Sequence, residues 1–261
     1  MTNLVASDLI IYVTRHGPKQ TALQGQADTQ VKLKPEAYPL LLEHGKDLGA
    51  VLRFDPRFDS TLGRGLAVGS QWVRAQQTAA LTAAGAYGFA VHDEGSLDQF
   101  MRSGNLDQIV DPDFGFAGLE LDKDAFKADP LAYVRNWVND SRSDTYGSVK
   151  VTPAMNMMLQ HRGALSRLMR GLVRDKKNVG IVGTHGGVVD CGYMEILGAP
   201  DERSGIENYG GPFIEGDGFI LEVNRISSGK PEGILYRNIS ETPTRQADAF
   251  ILDFDPSKYL K

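Results

Sequence analysis

The 261-residue sequence predicts a single α/β domain with a largely parallel sheet flanked by helices. Three observations lead there. Short apolar runs rich in β-branched residues alternate with longer stretches of helical periodicity, the pattern of strands joined by helical crossovers. Two of those runs, Leu9 to Val13 and Asn178 to Thr184, lead into a histidine followed by glycine, so two of the five histidines share one structural position. The length suits a domain with an ample core, and 41% hydrophobic with 23% charged residues is ordinary for a soluble globular chain.

The same composition excludes several classes. A net charge of −5 with no basic run argues against general nucleic-acid binding. No apolar run approaches membrane-spanning length, and the N-terminus lacks the basic and long apolar regions of a secretory signal. The single cysteine, Cys191, rules out a disulfide within the chain and fits a reducing compartment, so a cytoplasmic location is expected. Cys191 itself reads as a small buried hydrophobe.

Taken in order, Leu9 to Val13 is a buried strand. It ends in Thr14, Arg15, His16, Gly17 and Pro18, a cation and an imidazole followed by turn residues. Ligands of open α/β sheets bind beyond the carboxyl ends of strands, which is where His16 stands. Residues 19–34 are polar and aperiodic, a loop over the mouth of such a site, with Lys19, Lys32 and Lys34 read as solvated. A helix is expected from about Pro35 to Phe54 on the stripe Leu41, Leu42, Leu48, Val51 and Leu52, with His44 a packing residue.

Leu66 to Ser70 is a short strand. The preceding GRGLAVG is not a P-loop, because no Gly-Lys-Ser/Thr closes it, and it misses G-x-G-x-x-G at Val68. The helix Gln71 to Ala84 is expected to end on Gly85 as its C-cap. Arg74 lies in its first turn, where the helix dipole disfavours a cation, and a nearby anion would remove that misfit. Phe89 to His92 reads as a strand. Residues 101–150, rich in Asp, Gly, Ser and Asn, read as an insertion containing a helix that Asp129 and Pro130 start.

Thr152 and Pro153 start a helix running to about Asp175. Its stripe includes Met155, Met158, Leu159, Leu165, Leu168, Met169 and Leu172, core filler rather than a cofactor box, and its His161 reads as structural. Then come the second histidine strand with His185, Gly186 and Gly187, and another helix. A glycine-rich loop at 205–218 is expected at the far rim of the site. Phe219 to Val223 and Ile234 to Tyr236 extend the sheet, and the tail from Thr242 packs on the surface.

T-R-H-G at 14–17, S-Q-W-V-R-A-Q-Q-T-A at 70–79 and T-H-G-G at 184–187 resemble, in that order, the histidine phosphatase superfamily, also called phosphoglycerate mutase-like. The resemblance spans about residues 9 to 225. It implies a three-layer α/β/α fold with a largely parallel central sheet. It also implies phosphoryl transfer through a phosphohistidine on His16, with His185 stabilising developing charge when protonated. Arg15 and Arg74 would grip phosphate oxygens, since a planar guanidinium forms paired hydrogen bonds. Gly17 and Gly186, lacking Cβ, would let the backbone approach the phosphate. No metal or other cofactor is required, and the histidines lack metal-site spacing such as H-E-x-x-H.

One departure stands out. Where one branch of the family carries its proton-donating acid in L-x-E, this chain reads Leu97, Asp98, Gln99; where the other branch places Asp after the second histidine, it has Gly186. Asp98 is the candidate donor, with Glu94 as a substitute. A general acid contributes roughly 10² to 10⁴ in rate, so its loss hurts alkyl phosphates more than aryl esters, anhydrides or phosphoramidates. The expected activity is a metal-independent phosphatase acting on a small phosphorylated metabolite or a phosphoprotein. Phosphoglycerate mutase-type transfer and a non-catalytic phospho-ligand binder are the alternatives. Neither nucleic acid nor membrane is an expected partner, and self-association is left open.

Overall fold

The computed structural model describes residues 8–52, 62–103, 107–111, 121–170, 177–196, 211–224, 232–236 and 250–252. Their strands are β1 (Asp8–Arg15), β2 (Leu62–Ser70), β3 (Asp107–Asp111), β4 (Thr145–Tyr146), β5 (Val149–Lys150), β6 (Lys177–Thr184), β7 (Gly218–Asn224), β8 (Glu232–Tyr236) and β9 (Phe250–Leu252). The helices are α1 (Ala37–Leu52), α2 (Val73–Ala86), α3 (Glu94–Arg102), α4 (Lys123–Ala128), α5 (Pro130–Asn139), α6 (Ala154–Arg170) and α7 (Val188–Ile196).

Seven strands form the main sheet in the order β3-β2-β6-β1-β7-β8-β9. The pairs β3–β2, β2–β6 and β6–β1 are parallel, and β1–β7, β7–β8 and β8–β9 are antiparallel. Five strands (β1, β2, β3, β6 and β8) therefore run one way, and the sheet is mixed but mostly parallel. Alternate residues of each strand feed opposite layers. Leu9, Ile11 and Val13 join one buried cluster with α5, α6 and α7, while Ile10 and Tyr12 join another with α1, α2 and α3. The three-layer α/β/α class is thus built directly from the period-two pattern of β1 and β7.

Several local expectations change. Gly85 is not a cap but lies inside α2, where α1 crosses. A Cβ on Gly45 would meet the Thr82 carbonyl, and one on Gly85 would meet the Leu42 carbonyl. Small residues let these two helices approach backbone to backbone. The helix ends instead at Tyr87, with Gly88 at φ +70° making the turn. Phe89 to His92 is not a strand: the Phe89 N–H bonds back to Ala84 O, and an Asp93–Ser96 capping box then opens α3. Leu97, Asp98 and Gln99 lie on that helix rather than in extended chain.

Described parts of the stretch 101–150 join the main sheet and the core. β3 pairs with β2 at the sheet edge, and α5 buries Tyr133, Val134, Trp137 and Val138 in the core. The stripe of α6 is shifted as well: Met157 and Met158 are buried while Leu159 is 52% exposed. Residues 250–252 add a further strand rather than packing as a surface tail. The expected continuations 171–175 and 197–200, and residues 205–210 of the glycine-rich loop, lie outside the described residues.

Candidate active site

Register builds the site. β1 and β6 are parallel neighbours with Arg15 opposite Thr184, so the next residue of each chain, His16 and His185, emerges at the same level. Their ring centroids lie 5.1 Å apart in an edge-to-face arrangement, close to one strand spacing. β2 is the other neighbour of β6, and it delivers Ser70, Trp72 and the first turn of α2 to the same end of the sheet. His16, His185 and Arg74 are buried there.

The tautomer of His16 follows from its partners. Nδ1 stands 2.7 Å from the Gly17 carbonyl, which can only accept, so Nδ1 carries the proton. Nε2 then holds the lone pair, and the Arg74 Nε–H donates to it at 3.3 Å. Burial pushes His16 down to about 3, more than its bond to Gly17 raises it, and the charges of Arg74, Arg15 and Lys19 lower it further. The ring is therefore neutral near pH 7, with Nε2 available as a nucleophile. Burial, the nearby His16 and the same cations hold His185 well below its ordinary value too. It is neutral rather than cationic in this state. The His185 ring meets Ser70 Oγ through Nε2 at 2.9 Å and packs against Trp72 at 4.7 Å between centroids.

The two arginines are held differently. Arg15 Nη1 donates to Phe213 O at 2.8 Å, which ties the 211–217 loop over the site, while its buried Nε has no hydrogen-bond partner among the described residues. A Cβ on Gly186 would stand 2.9 Å from Arg15 Cζ, so glycine at 186 makes room for the guanidinium rather than only for a ligand. Arg74 stacks on Trp72 with Cζ 4.0 Å from the ring centroid. Its Nη1 donates to Asp28 O at 2.7 Å and its Nη2 to Asp28 Oδ2 at 3.1 Å. The anion expected beside this first-turn cation is thus present as a carboxylate of the chain itself. Burial lowers the Arg74 proton affinity, and Asp28 and Glu215 oppose that shift.

Gly17 serves the local structure. Its N–H donates to Thr78 Oγ1 at 3.2 Å, and a Cβ there would press on Leu41 of α1. The second turn needs Gly187, at φ +78°, whose N–H donates to the buried Asp190 Oδ2 at 2.7 Å. Asp190 Oδ1 also accepts from the Phe213 N–H at 2.9 Å, joining the two loops that flank Arg15.

The structure thus brings Arg15, His16, Gly17, Arg74, His185 and Gly186 to one end of the sheet. Asp98 stands elsewhere: it sits on α3 with its side chain 52% exposed and pairs with Arg102 at 3.9 Å. Glu94, on the same helix, pairs with Lys32. His44 bonds Gly216 O at 3.0 Å and His161 bonds Val188 O at 2.6 Å, both buried and outside the pocket. Cys191 is fully buried. Sequence reasoning missed Asp28, Ser70 and Trp72. Ser70 and Trp72 fall inside the quoted S-Q-W-V-R motif and could have been read there; Asp28, in an aperiodic loop, had no signal.

No family model matches the sequence, and no curated protein matches it. Among solved structures, the chain is similar to one described as mycobacterial hydrolase 2, at 16% identity over 84% of this chain and 83% of that one, with a TM-score of 0.48. It is similar to a mycobacterial glucosyl-3-phosphoglycerate phosphatase at 16% identity, covering 84% and 90%, with a TM-score of 0.45. It is also similar to the alpha-ribazole phosphatase of Shigella flexneri at 15% identity, covering 82% and 89%, with a TM-score of 0.38.

Proposed function

We propose that this protein is a phosphatase that hydrolyses phosphomonoesters, phosphoanhydrides or phosphoramidates through a phosphohistidine on His16. The observation that carries the reading is the orientation of His16: Nδ1–H is tied to Gly17 O, leaving Nε2 unprotonated and directed at Arg74. A buried, neutral imidazole with a fixed lone pair beside a guanidinium is what attack on phosphorus needs.

In the reaction, substrate oxygens bind Arg74 and Arg15, whose buried Nε lacks a partner among the described residues. His16 Nε2 attacks phosphorus, and the charge that develops on the equatorial oxygens is balanced by both guanidinium groups. A bound phosphate dianion raises the proton affinity of the adjacent His185 and favours its cationic form. Water then cleaves the N–P bond and restores neutral His16. A small phosphorylated metabolite or a phosphoprotein is the proposed substrate class. The mutase alternative ranks lower, because it requires the phosphoenzyme to be protected from water.

The test is hydrolysis of an aryl phosphate in the presence of chelator by the wild type and by His16→Ala. Turnover by the wild type, an alkali-stable, acid-labile phosphoryl label on the protein, and loss of both in the variant are expected. Full activity in His16→Ala would overturn the reading. One observation favours a second reading, a non-catalytic phospho-ligand binder: the acid expected near Gln99 is turned to solvent. Saturable phosphate binding with no turnover would select it.

A further inference from the structure

The reading above leaves the leaving group without a proton donor, and the structure offers one in an unexpected place. We propose that Asp28, in the loop between β1 and α1, is the general acid; this inference rests on the phospho-His16 reading.

The geometry is that of a single guanidinium spanning nucleophile and carboxylate. Arg74 Nε reaches His16 Nε2 at 3.3 Å while its Nη2 reaches Asp28 Oδ2 at 3.1 Å. A phosphoryl group resting on Arg74 and attacked by Nε2 lies between the two. The leaving oxygen departs on the far side of phosphorus from the nucleophile. His16 is on the floor, 7% exposed, whereas the Asp28 carboxylate stands at the mouth with its side chain 47% exposed. The departing oxygen moves toward the mouth, and the acid there exchanges protons with water.

The loop is built to keep that carboxylate in place. Its neck is closed by Gln20 N–H to Lys32 O at 2.9 Å and Lys34 N–H to Pro18 O at 2.8 Å. Buried Val31 and Leu33 anchor it, and the Leu33 N–H donates to Gln77 Oε1 of α2 at 2.9 Å. Lys19 Nζ holds the other oxygen, Oδ1, at 2.8 Å. Other described carboxylates are worse placed. Asp98 and Glu94 pair with Arg102 and Lys32 on α3's exposed side, Asp190 spends both oxygens on backbone N–H groups, and exposed Glu215 reaches Arg74 only through its field.

Partial burial raises the Asp28 proton affinity, but the Lys19 bond and the Arg74 charge outweigh it and hold the carboxyl below the usual range. A phosphate dianion on Arg74 reverses this field, because it neutralises the cation and sets negative charge against the carboxylate. The protonated carboxyl then acts as the N–P bond forms and the P–O bond breaks. The bonding pair goes to the leaving oxygen, and the Asp28 proton follows it to release an alcohol. The resulting carboxylate accepts a proton from the water that attacks phospho-His16, and inorganic phosphate leaves.

The experiment is a series of aryl and alkyl phosphomonoesters graded by leaving-group pKa. It compares wild type, Asp28→Asn, Asp28→Glu, Asp98→Asn and His16→Ala. In Asp28→Asn the best aryl ester should keep its kcat within about threefold while alkyl esters fall by roughly 10² or more, steepening the leaving-group dependence. Asp28→Glu should restore a shallow dependence, and Asp98→Asn should match the wild type. Equal losses on aryl and alkyl esters in Asp28→Asn would overturn the proposal and make Asp28 a positioning residue for Arg74. No effect, or a steep dependence in Asp98→Asn instead, would overturn it too. Activity surviving in His16→Ala would bring down the phosphohistidine reading itself, whatever Asp28 does.

Discussion

Acid should loosen this fold well above the pH at which carboxylates titrate, because its buried histidines refuse protons. Burial takes His16 from 6.5 to about 3 and His161 from 6.5 to about 4, and their backbone bonds only partly offset it. The unfolded chain binds a proton at each site as pH falls through 6.5, while the folded chain does not until about 3 or 4. Stability is therefore fully present above 6.5 and falls with pH through that window. At pH 5 the unfolded imidazoles lie about 1.5 units past their midpoint, so each costs about 2 kcal/mol at about 1.4 kcal/mol per unit. His185 adds to the loss in the same direction. Against a typical domain stability of about 5–15 kcal/mol, a loss of 4 kcal/mol or so moves a urea midpoint visibly.

The assay is urea unfolding at pH 7.5 and pH 5, with and without saturating sulfate, whose charge is constant over that range. Sulfate in the pocket should favour protonated His16 and His185 and shrink the loss toward the share of His161, which lies outside the pocket. His161→Gln, able to keep a donor on Val188 O, should remove about 2 kcal/mol of the pH dependence. Equal midpoints at the two pH values would mean these rings titrate as they do in water, and the neutral-nucleophile argument would fall with them. A loss that sulfate leaves untouched would place the acid sensitivity outside the pocket.

Two further outcomes are expected. In Gly186→Ala the new Cβ meets Arg15 Cζ at 2.9 Å and pushes it off Phe213 O; inorganic phosphate should inhibit about tenfold more weakly, a cost of about 1.4 kcal/mol, with the melting temperature little changed. Gly45→Val places side-chain atoms against the α2 backbone, with Ala86 N 2.8 Å from the Cβ position; the helices must separate, and urea unfolding should show a loss of about 3 kcal/mol.

Much of this was legible in the sequence, for a reason that also explains what was not. Strands advertise themselves by apolar β-branched runs, and β1, β6 and β7 fall within a residue or two of the runs that predict them. The pocket residues they carry, Arg15, His16 and His185, follow from strand ends. Phe89 to Val91 has the same local composition, yet Gly88 and the Ala84 carbonyl claim it as a turn, a tertiary outcome that a short window cannot show. Gly85 carries the mark of a cap but serves a helix crossing with Gly45, a partner forty residues away. The composition of 101–150 reads as an insertion with one short helix, and the burial of Tyr133, Val134, Trp137 and Val138 on one face of α5 is a tertiary outcome that composition does not show. Asp28 was invisible because its partners, Lys19 and Arg74, are fixed by loop closure rather than by any period.

The division between sheet and loop also says where chemistry and specificity reside. A parallel register with Arg15 opposite Thr184 places two histidines 169 positions apart side by side, and a one-residue slip would send one of them to the other face. The register is over-determined: β1 alternates Leu9, Ile11 and Val13 into one core layer and Ile10 and Tyr12 into the other, so slippage would exchange the two cores. His16 and His185 are thus held at the ends of the two central strands β1 and β6. The carboxylate on Arg74 and the carbonyl on Arg15 come instead from residues 19–33 and 211–217, segments that the sheet leaves free to vary. A change of leaving-group preference should therefore be reachable through position 28 and its loop without loss of fold, whereas relocating His16 along β1 should cost the whole domain.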